Sequence, residues 1–547
     1  MGTEYAPLIE ALAERQAKGR GRLRPIVTPH ETPAIAMAHG YFDVSGKPQV
    51  VFVHTIPGTL NAAGPLMNAS SARVPVILVA GRSPIHEESV FGGKNRMIHW
   101  NQELRDQGGL VRQFTKMDWD VRSNMQLPDV VSRLIEISMN EPRGPVYLTI
   151  SRELMCEQVT ERPRRPRMSV PAESQATDES LERAAKSLID AEHPLLTTAL
   201  AGRDVRAFKA LVVLAELLGT PITQTPYYAN FPNTHALYVG ERASRGALAL
   251  LESADVLFAV ESDVPWIASE GKPDDGATII QLDINPTMDH LPIWGFRVDQ
   301  RMKGGAFPTL NVLSARVRRL LRGDSEARTR VKERRAEVSA MHDQMKRTLR
   351  DEVESIRAEK PIDPRWLSHC INAVMDRKSV IFAETVTSPL FDYLEISEPG
   401  TFFSNPPLGF LGWAMGAALG GKAALPEAQV LALVGDGSYI YSAPTACHFI
   451  SSRYNLPVLT VVYNNHCWNA SANPVKVLYP DGWAVKTNNF PGCDIDPSPD
   501  FTQVAKSSGA HTERVEDPEE LIAALQRASA AVKGGRQALV DVLLQKP

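Results

Sequence analysis

Two short apolar runs between residues 430 and 465, each followed at once by small or polar residues, constrain the fold most strongly. Val430–Val434 is apolar without interruption, as expected of a parallel strand that is buried on both faces. Gly435–Ser438 follows with little side-chain bulk, so backbone N–H groups there can approach an anion closely. Pro457–Asn465 repeats the apolar run and ends in two asparagines. This order predicts a strand, a turn, a helix and a second strand of one parallel sheet.

The turn between these strands carries a carboxylate at the point where an anion would bind. Asp436 would repel a phosphate group unless a divalent cation lay between them. Asn464 and Asn465 supply neutral oxygen atoms at the end of the next strand. Mg²⁺ takes oxygen ligands of this kind and usually keeps phosphate oxygens in its coordination shell. The stretch therefore predicts a diphosphate–Mg²⁺ clamp.

This combination of Gly-Asp-Gly-Ser, a helix and Asn-Asn resembles the diphosphate-binding motif of thiamine diphosphate (ThDP) enzymes. The resemblance implies that Asp436, Asn465 and the main chain of Cys467 bind the metal. Because the intervening helix is about two residues longer than is common in that family, Asn464 stays open as the alternative ligand. The residues of this stretch implied to bind the cofactor are Gly435, Asp436, Gly437, Ser438 and Asn465.

A second stretch, Pro29–Phe42, combines a glutamate at a predicted helix start with a face of small residues. Ala34, Ala38 and Gly40 would let another backbone or a flat ring approach that face closely. Taken alone, Glu31 would be a helix-capping residue. Together with the clamp, however, the stretch resembles the ThDP-family motif whose glutamate contacts the aminopyrimidine ring. The resemblance implies that Glu31 is catalytic and promotes loss of the ThDP C2 proton, after which C2 attacks a substrate carbonyl.

Three further residues belong to the predicted site. His54 ends the apolar run Gln49–Val53 and opens a glycine-bearing loop, where α/β proteins place ligands. Its context resembles the benzoylformate decarboxylases, which implies that it is catalytic and transfers protons. Leu411 matches the apolar residue that props ThDP in its bent form. Thr387, within Glu384–Ser388, matches a loop that binds diphosphate oxygens.

Length and composition exclude several classes of protein. At 547 residues the chain is too long for one core. A net charge of −4 argues against a nucleic-acid-binding surface. Five cysteines without a CxxC pair favour a reducing, cytoplasmic compartment. No membrane segment is expected, since Leu408–Leu425 is the most apolar run and is glycine-rich, interrupted by Lys422 and shorter than a bilayer span.

Apolar runs alternate with helical patterns along the chain, which predicts an α/β fold of three doubly wound parallel-sheet domains. The predicted divisions are a pyrimidine-binding domain at 1–156, a linker at 157–180, a central domain at 181–315, a charged helical linker at 316–360 and a diphosphate-binding domain at 361–547. Met1–Glu4 resembles the NPG-[ST]-x-E segment that follows the family's first strand, so the first domain is expected to lack that strand. The central domain has no GxGxxG fingerprint, so no FAD is expected.

The resemblance implies a Mg²⁺- and ThDP-dependent 2-oxo acid decarboxylase or carboligase of the acetolactate synthase-like group, acting through a C2 carbanion and an enamine. His54 favours decarboxylation. Asp263–Trp266 and Leu282–Pro286 resemble acetolactate synthases, which transfer the two-carbon unit to a second 2-oxo acid. A catalytically impaired ThDP-binding homologue and a flavin-linked oxidase are further alternatives.

The expected partners are a small 2-oxo acid and further copies of the same chain. Glu31 and Asp436 belong to different predicted domains, yet one ThDP molecule must contact both. In the family that the chain resembles, the two domains that meet at one cofactor come from different chains. We therefore expect a homodimer or homotetramer with active sites at the chain interface. The small-residue face of Pro29–Phe42 and the apolar segment Leu408–Ala418 are expected to be buried there.

Overall fold

The structure is a computed structural model that describes residues 2–20, 23–159, 168–385 and 387–546. Its strands form three parallel sheets with helices packed against them, which confirms the predicted α/β class with three doubly wound sheets. Met1, residues 160–167 of the predicted linker and Val386 of the predicted diphosphate loop lie outside the described residues. No helix in the described ranges has both the length and the apolar composition needed to cross a bilayer.

The first sheet has four described strands in the order β1-β2-β4-β3. The strands are β1 (Gln49–Val53), β2 (Val76–Arg82), β3 (Asp118–Asp120) and β4 (Val146–Ser151). The helices of this part are α1 (Ala6–Ala17), α2 (Glu31–Ser45), α3 (Ile56–Ser71), α4 (Ile98–Asn101), α5 (Leu127–Met139) and α6 (Arg152–Cys156). Every residue of β4 is buried, as expected for a strand inside a parallel sheet.

The middle sheet has six strands in the order β10-β9-β8-β5-β6-β7. The strands are β5 (Pro194–Thr198), β6 (Ile222–Gln224), β7 (Tyr238–Glu241), β8 (Val256–Val260), β9 (Thr278–Asp283) and β10 (Gln300–Lys303). The helices are α7 (Asp178–Asp190), α8 (Val205–Leu218), α9 (Arg245–Ser253), α10 (Ala306–Gly323) and α11 (Ser325–Ile356).

The third sheet has six strands in the order β12-β11-β13-β14-β16-β15. The strands are β11 (Val380–Glu384), β12 (Phe402–Ser404), β13 (Val430–Gly435), β14 (Leu459–Asn464), β15 (His511–Val515) and β16 (Ala538–Leu543). The helices are α12 (Pro364–Ile371), α13 (Trp413–Ala424), α14 (Asp436–Tyr441), α15 (Pro444–Tyr454), α16 (Asn469–Leu478), α17 (Trp483–Thr487), α18 (Phe501–Lys506) and α19 (Leu521–Lys533). The first five residues of β13 are buried, because β11 and β14 pair with its two edges inside the sheet.

Helices α2 and α13 join the first part of the chain to the third. A β-carbon added at Gly40 of α2 would lie 2.1 Å from the carbonyl oxygen of Ala417, and one added at Gly420 of α13 would lie 2.0 Å from that of Met37. Only glycine permits so close an approach of two helix backbones. The small-residue face predicted to lie between subunits is therefore buried within a single chain.

A buried ion cluster joins the first part of the chain to the middle sheet. Arg73 follows α3, and its guanidinium donates to Asp283 at 3.0 and 3.1 Å and to Asp263 at 3.2 Å. Asp283 ends β9 and is fully buried. The contact places an arginine of the first part at the carboxyl edge of the middle sheet.

The charged segment 316–360, predicted to be one linking helix, contains the end of α10 and the whole of α11. Asp324 separates the two helices, and its side chain caps α11 by accepting a hydrogen bond from the N–H of Ala327 at 2.8 Å. Val338 and Val353 of α11 are buried in the largest hydrophobic core cluster. The helix is therefore packed on the protein along part of its length instead of being solvated throughout.

Candidate functional site

Asp436 lies at the carboxyl edge of the third sheet, where β13 passes into α14. Its Oδ1 accepts a hydrogen bond from the N–H of Gly437 at 2.7 Å. Its Oδ2 is buried and has no hydrogen-bond partner among the described residues. Burial raises the pKa of Asp436 to about 6, although nearby backbone N–H groups oppose the shift. A buried carboxylate oxygen without a partner has the chemistry of a metal ligand, so the residue fits the Mg²⁺ site predicted from the sequence.

The two asparagines at the end of β14, Asn464 and Asn465, have different surroundings. Asn464 ends β14 and is fully buried, with its amide donating to Asp541 at 3.0 Å and its oxygen accepting from the N–H of His466 at 3.3 Å. Asn465 is half-buried, and its oxygen accepts one hydrogen bond, from the N–H of Cys467 at 3.0 Å. The Asn464 oxygen also accepts from the Ser498 hydroxyl at 3.4 Å, so both of its lone pairs are used, whereas among the described residues the Asn465 oxygen keeps one lone pair.

The remaining residues of the predicted clamp lie at the same edge. Gly435 closes β13 opposite Tyr463 of β14, which brings the turn after one strand beside the loop after the other. Gly437 and Ser438 are buried in α14. The carbonyl of Cys467 accepts one hydrogen bond, from the N–H of Asn469 at 2.9 Å, and keeps a second lone pair. The structure thus brings together every third-sheet residue that was assigned to the clamp.

Strand β11 ends beside β13, so its following loop emerges near Asp436. Glu384 pairs with Val434 in the parallel register, and Thr387 lies in a turn that is closed by a 3.1 Å hydrogen bond from the Ser388 N–H to the Thr385 carbonyl. This is the edge at which Thr387 was predicted to bind diphosphate oxygens.

The buried side chain of Glu384 has a role that sequence reasoning missed. Its two carboxylate oxygens accept hydrogen bonds from the N–H groups of Gly412 at 2.9 Å and Ala414 at 3.0 Å, at the start of α13. Burial raises the pKa of Glu384 to about 8, and these N–H groups oppose the shift by favouring the carboxylate. Leu411, the predicted cofactor prop, directly precedes this capped helix start. No local pattern signals such a contact, because 28 residues separate Glu384 from Gly412.

Glu31 is the first residue of α2 in the first part of the chain. The preceding His30 caps the helix, since its Nδ1 accepts a hydrogen bond from the N–H of Thr32 at 3.1 Å. One oxygen of Glu31, Oε2, accepts a hydrogen bond from the side-chain amide of Asn61 at 3.2 Å, and Asn61 lies on α3. Glu31 is therefore not the capping residue, and among the described residues its second oxygen has no hydrogen-bond partner, so it can contact a ligand.

His54 lies between β1 and α3, and its Nδ1 is 2.8 Å from Oε2 of Glu4. The hydrogen bond to Glu4 raises the pKa of His54 above its usual value, although partial burial opposes the shift. Glu4 is almost fully buried, and its Oε1 has no hydrogen-bond partner within the described ranges. Sequence reasoning noted Glu4 only as part of a family-like segment. Its spacing in that segment was the available signal, but a contact with His54 across 50 residues could not be predicted from it.

The candidate residues form two groups in the single chain. Glu31, which is bonded to Asn61 of α3, and His54, which lies just before α3, form one group, whereas Asp436, Asn465 and their neighbours lie at the edge of the third sheet. In the described part of the chain, no hydrogen bond or ion pair joins the first group to the second.

Family models match most of the chain. A model of the thiamine pyrophosphate enzyme N-terminal TPP binding domain, where thiamine pyrophosphate (TPP) is another name for ThDP, matches residues 1–110. The corresponding central domain model matches residues 181–291, and the C-terminal TPP binding domain model matches residues 385–542. The chain belongs to the ThDP-dependent enzyme family. Its C-terminal match contains Asp436 and Asn465, and its N-terminal match contains Glu31 and His54.

Several members of the ThDP family resemble the chain along nearly its whole length. A benzoylformate decarboxylase of Pseudomonas aeruginosa is 27% identical over 551 residues, which cover 95% of this chain and 92% of that protein. A probable 2-ketoarginine decarboxylase of the same species is 26% identical over 518 residues, which cover 91% of this chain and 84% of that protein. The solved benzoylformate decarboxylase of Polynucleobacter necessarius superimposes with a TM-score of 0.78 at 20% identity, covering 100% of this chain and 95% of that one. This last likeness shows a shared fold.

Proposed function

We propose that this ThDP-family enzyme decarboxylates a small 2-oxo acid, with ThDP and Mg²⁺ as cofactors. The observation that carries the proposal is the pair of His54 and Glu4, which places a histidine with a raised pKa beside the helix that contacts Glu31. Such a histidine can donate a proton to a substrate oxygen, which a decarboxylation of this kind requires. Two similar proteins are named as decarboxylases of different 2-oxo acids, which supports the same reaction class here.

The residues at the edge of the third sheet would hold the cofactor by its charged end. Asp436 supplies the buried, unpartnered oxygen for Mg²⁺, and Asn465 and the carbonyl of Cys467 supply neutral oxygens. The turn at Gly435–Ser438 and the Thr387 loop would contact the diphosphate. Leu411 would support the cofactor from the start of α13. When bound, ThDP supplies a nucleophilic carbon and an electron sink.

Glu31 would move a proton at the other end of the cofactor. Asn61 holds its Oε2, so its Oε1 is free to share a proton with a ring nitrogen of the cofactor. Fixing one carboxylate oxygen restricts the rotamers of the side chain, which lowers the entropy lost when the second oxygen engages its partner. Glu31 therefore acts as an acid–base residue and Asn61 orients it.

His54 would move a proton at the substrate. Its Nδ1 faces the carboxylate of Glu4, so this nitrogen keeps its hydrogen in both protonation states of the ring. The second ring nitrogen, Nε2, is then the one that gains and loses a proton. We assign it the donation of a proton to the carbonyl oxygen of the 2-oxo acid.

Replacing His54 with alanine should lower the decarboxylation rate by about 10² to 10⁴, the usual contribution of a general acid–base residue. ThDP affinity should stay close to that of the wild type, because the clamp residues lie at a different sheet. The rate is measured by CO₂ release under saturating cofactor, and the affinity by calorimetry. A His54→Ala enzyme that decarboxylates at the wild-type rate would return His54 to a structural role.

Replacing Glu4 with glutamine should move the pH profile of the reaction. The bond to Glu4 raises the pKa of His54, so the proton-donating form persists above its usual pKa and is lost as pH rises through the raised value. Glu4→Gln removes the negative charge but keeps the side-chain volume. The alkaline limb of the kcat profile should therefore shift to lower pH. An unshifted limb would show that Glu4 does not influence the group whose titration limits the rate.

A shared active site would account for the lack, among the described residues, of a hydrogen bond or ion pair from Glu31 or His54 to Asp436 or Asn465 of the same chain. Large apolar side chains are exposed in the segments that follow strands of the first and third sheets. Phe91 is 85% exposed in the segment after β2, and Trp483 is 83% exposed in the segment after β14. Met97 and Trp100 are exposed near Phe91, and Leu478 and Tyr479 near Trp483, and groups of exposed apolar side chains are typical of surfaces that pack against another chain. We therefore propose a homodimer, or a homotetramer built from such dimers, in which the first part of one chain faces the third part of its partner.

The second candidate function is acetolactate synthase-type transfer to another 2-oxo acid, which the segments at Asp263–Trp266 and Leu282–Pro286 favour. One experiment distinguishes the two. The protein is incubated with ThDP, Mg²⁺ and a panel of aromatic, basic and short aliphatic 2-oxo acids, while CO₂ is followed and the organic product is identified. An aldehyde supports decarboxylation, and a 2-hydroxy-2-alkyl-3-oxo acid supports transfer. Cofactor binding without CO₂ from any substrate would favour an impaired homologue and count against both.

A further inference from the structure

We infer that Glu384 is a positioning residue that sets the place of Leu411, and through it the bent shape of the bound cofactor. Glu384 is the last residue of β11 and is 1% exposed. Its carboxylate binds the N–H groups of Gly412 and Ala414, which flank the first residue of α13. Because Leu411 is covalently attached to Gly412, any shift of this helix start moves Leu411 as well. The inference rests on the proposed role of Leu411 as the cofactor prop.

The start of α13 is more tightly confined than at an ordinary capped helix. Gly412 has φ = +92°, a left-handed conformation, and a β-carbon added there would lie 2.4 Å from the carbonyl oxygen of Tyr441. The helix entry is thus confined on one side by α14, which begins at Asp436, and on the other by Glu384. A carboxylate at a helix N-terminus is also favoured by the helix dipole.

The same residue fixes the spacing between two contact points of the cofactor. Glu384 directly precedes the turn that contains Thr387, which would bind diphosphate oxygens, and its side chain holds the chain at Leu411. The buried Glu384 therefore links the Thr387 loop, which would bind the diphosphate, to Leu411, which would support the bent middle of the cofactor. With ThDP bound, the distance between Thr387 and Leu411 would set how the cofactor is held between its diphosphate and its bent middle.

The test measures hydrogen–deuterium exchange at C2 of bound ThDP, without substrate, in Glu384→Gln. Glutamine keeps the volume of the side chain but has one acceptor oxygen, so one of the two N–H groups loses its partner. Exchange should slow by roughly 10- to 100-fold at saturating cofactor, the factor expected for the loss of one hydrogen bond to a charged group. Glu384→Asp, which keeps the charge but is shorter, provides a second variant if the glutamine variant does not fold.

A double-mutant cycle with Leu411→Ala shows whether Glu384 acts through Leu411. If it does, Glu384→Gln should add little to the slowing caused by Leu411→Ala, because the group that it positions is already absent. Multiplied effects of the two changes would overturn the inference and leave Glu384 with a general structural role. Asp363→Asn is the matched control: Asp363 is also buried and caps a helix of the third part, α12, which does not lead to Leu411.

The outcomes separate this inference from the proposed function. Failure of the wild-type protein to bind ThDP would remove both. Normal binding, with C2 exchange in Glu384→Gln as fast as in the wild type, would overturn the positioning role and leave the proposed reaction untouched. Slower exchange in Glu384→Gln but not in Asp363→Asn, together with non-additivity in the cycle, would support it.

Discussion

Asp436→Ala should weaken ThDP binding by roughly 100-fold or more and remove its dependence on Mg²⁺, since the cost of breaking a buried charged contact is of this order. The carboxylate has one buried oxygen without a partner in the described structure, and a divalent cation would satisfy it. Without the carboxylate, the metal loses its only charged protein ligand of the proposed set. The fold should survive, because the hydrogen bond that the side chain makes within the described ranges is local, to the adjacent N–H of Gly437.

Calorimetric titration with ThDP, in the presence of Mg²⁺ and then of a chelator, measures this effect. Asp496→Ala is the matched control, since Asp496 is an exposed carboxylate 4.0 Å from His466 in the same region. The control should bind ThDP as the wild type does, which would exclude a general effect of removing negative charge. Equal affinity of wild type and Asp436→Ala, or wild-type binding that a chelator does not weaken, would refute the clamp.

The sheet edge that carries Asp436 could be predicted from the sequence because burial on both faces leaves a distinct pattern. Val430–Val434 is continuously apolar, and the chain turns at the first glycine after it. The choice between Asn464 and Asn465 could not be made in the same way, since adjacent residues at a strand end differ only in the direction of their side chains. The structure separates them by their partners: Asp541, on the neighbouring strand β16, binds the amide of Asn464.

Contacts between distant segments were the least predictable part of the site. Small residues on α2 and α13 correctly indicated close packing, but a small face does not specify whether its partner belongs to the same chain. The break between α10 and α11 did leave a local signal, because Asp324 follows a glycine and is a favourable N-cap residue. The charge pattern of the segment obscured it, since charged residues continue from the last turns of α10 into α11.

Chains carrying Glu31→Gln and chains carrying Asp436→Ala should each be inactive alone and regain activity when mixed. Glutamine at position 31 cannot share a proton with the cofactor ring, and alanine at position 436 cannot bind the metal. If each site combines Glu31 of one chain with Asp436 of its partner, a mixed dimer contains one site in which both residues are intact. Random exchange of subunits should then give about one quarter of the wild-type activity, because half of the dimers are mixed and each has one working site.

The converse mixture makes the test decisive. A chain that carries both changes, mixed with wild type in equal amounts, should reduce activity to about one quarter, because each site of a mixed dimer then lacks one of the two residues. Sites contained within single chains would instead keep about one half. Activity is measured after subunit exchange has been allowed to reach equilibrium, with unexchanged mixtures as controls. Activity near one half in the converse mixture, with no recovery in the first, would place Glu31 and Asp436 of the same chain at one cofactor and rule out the shared site.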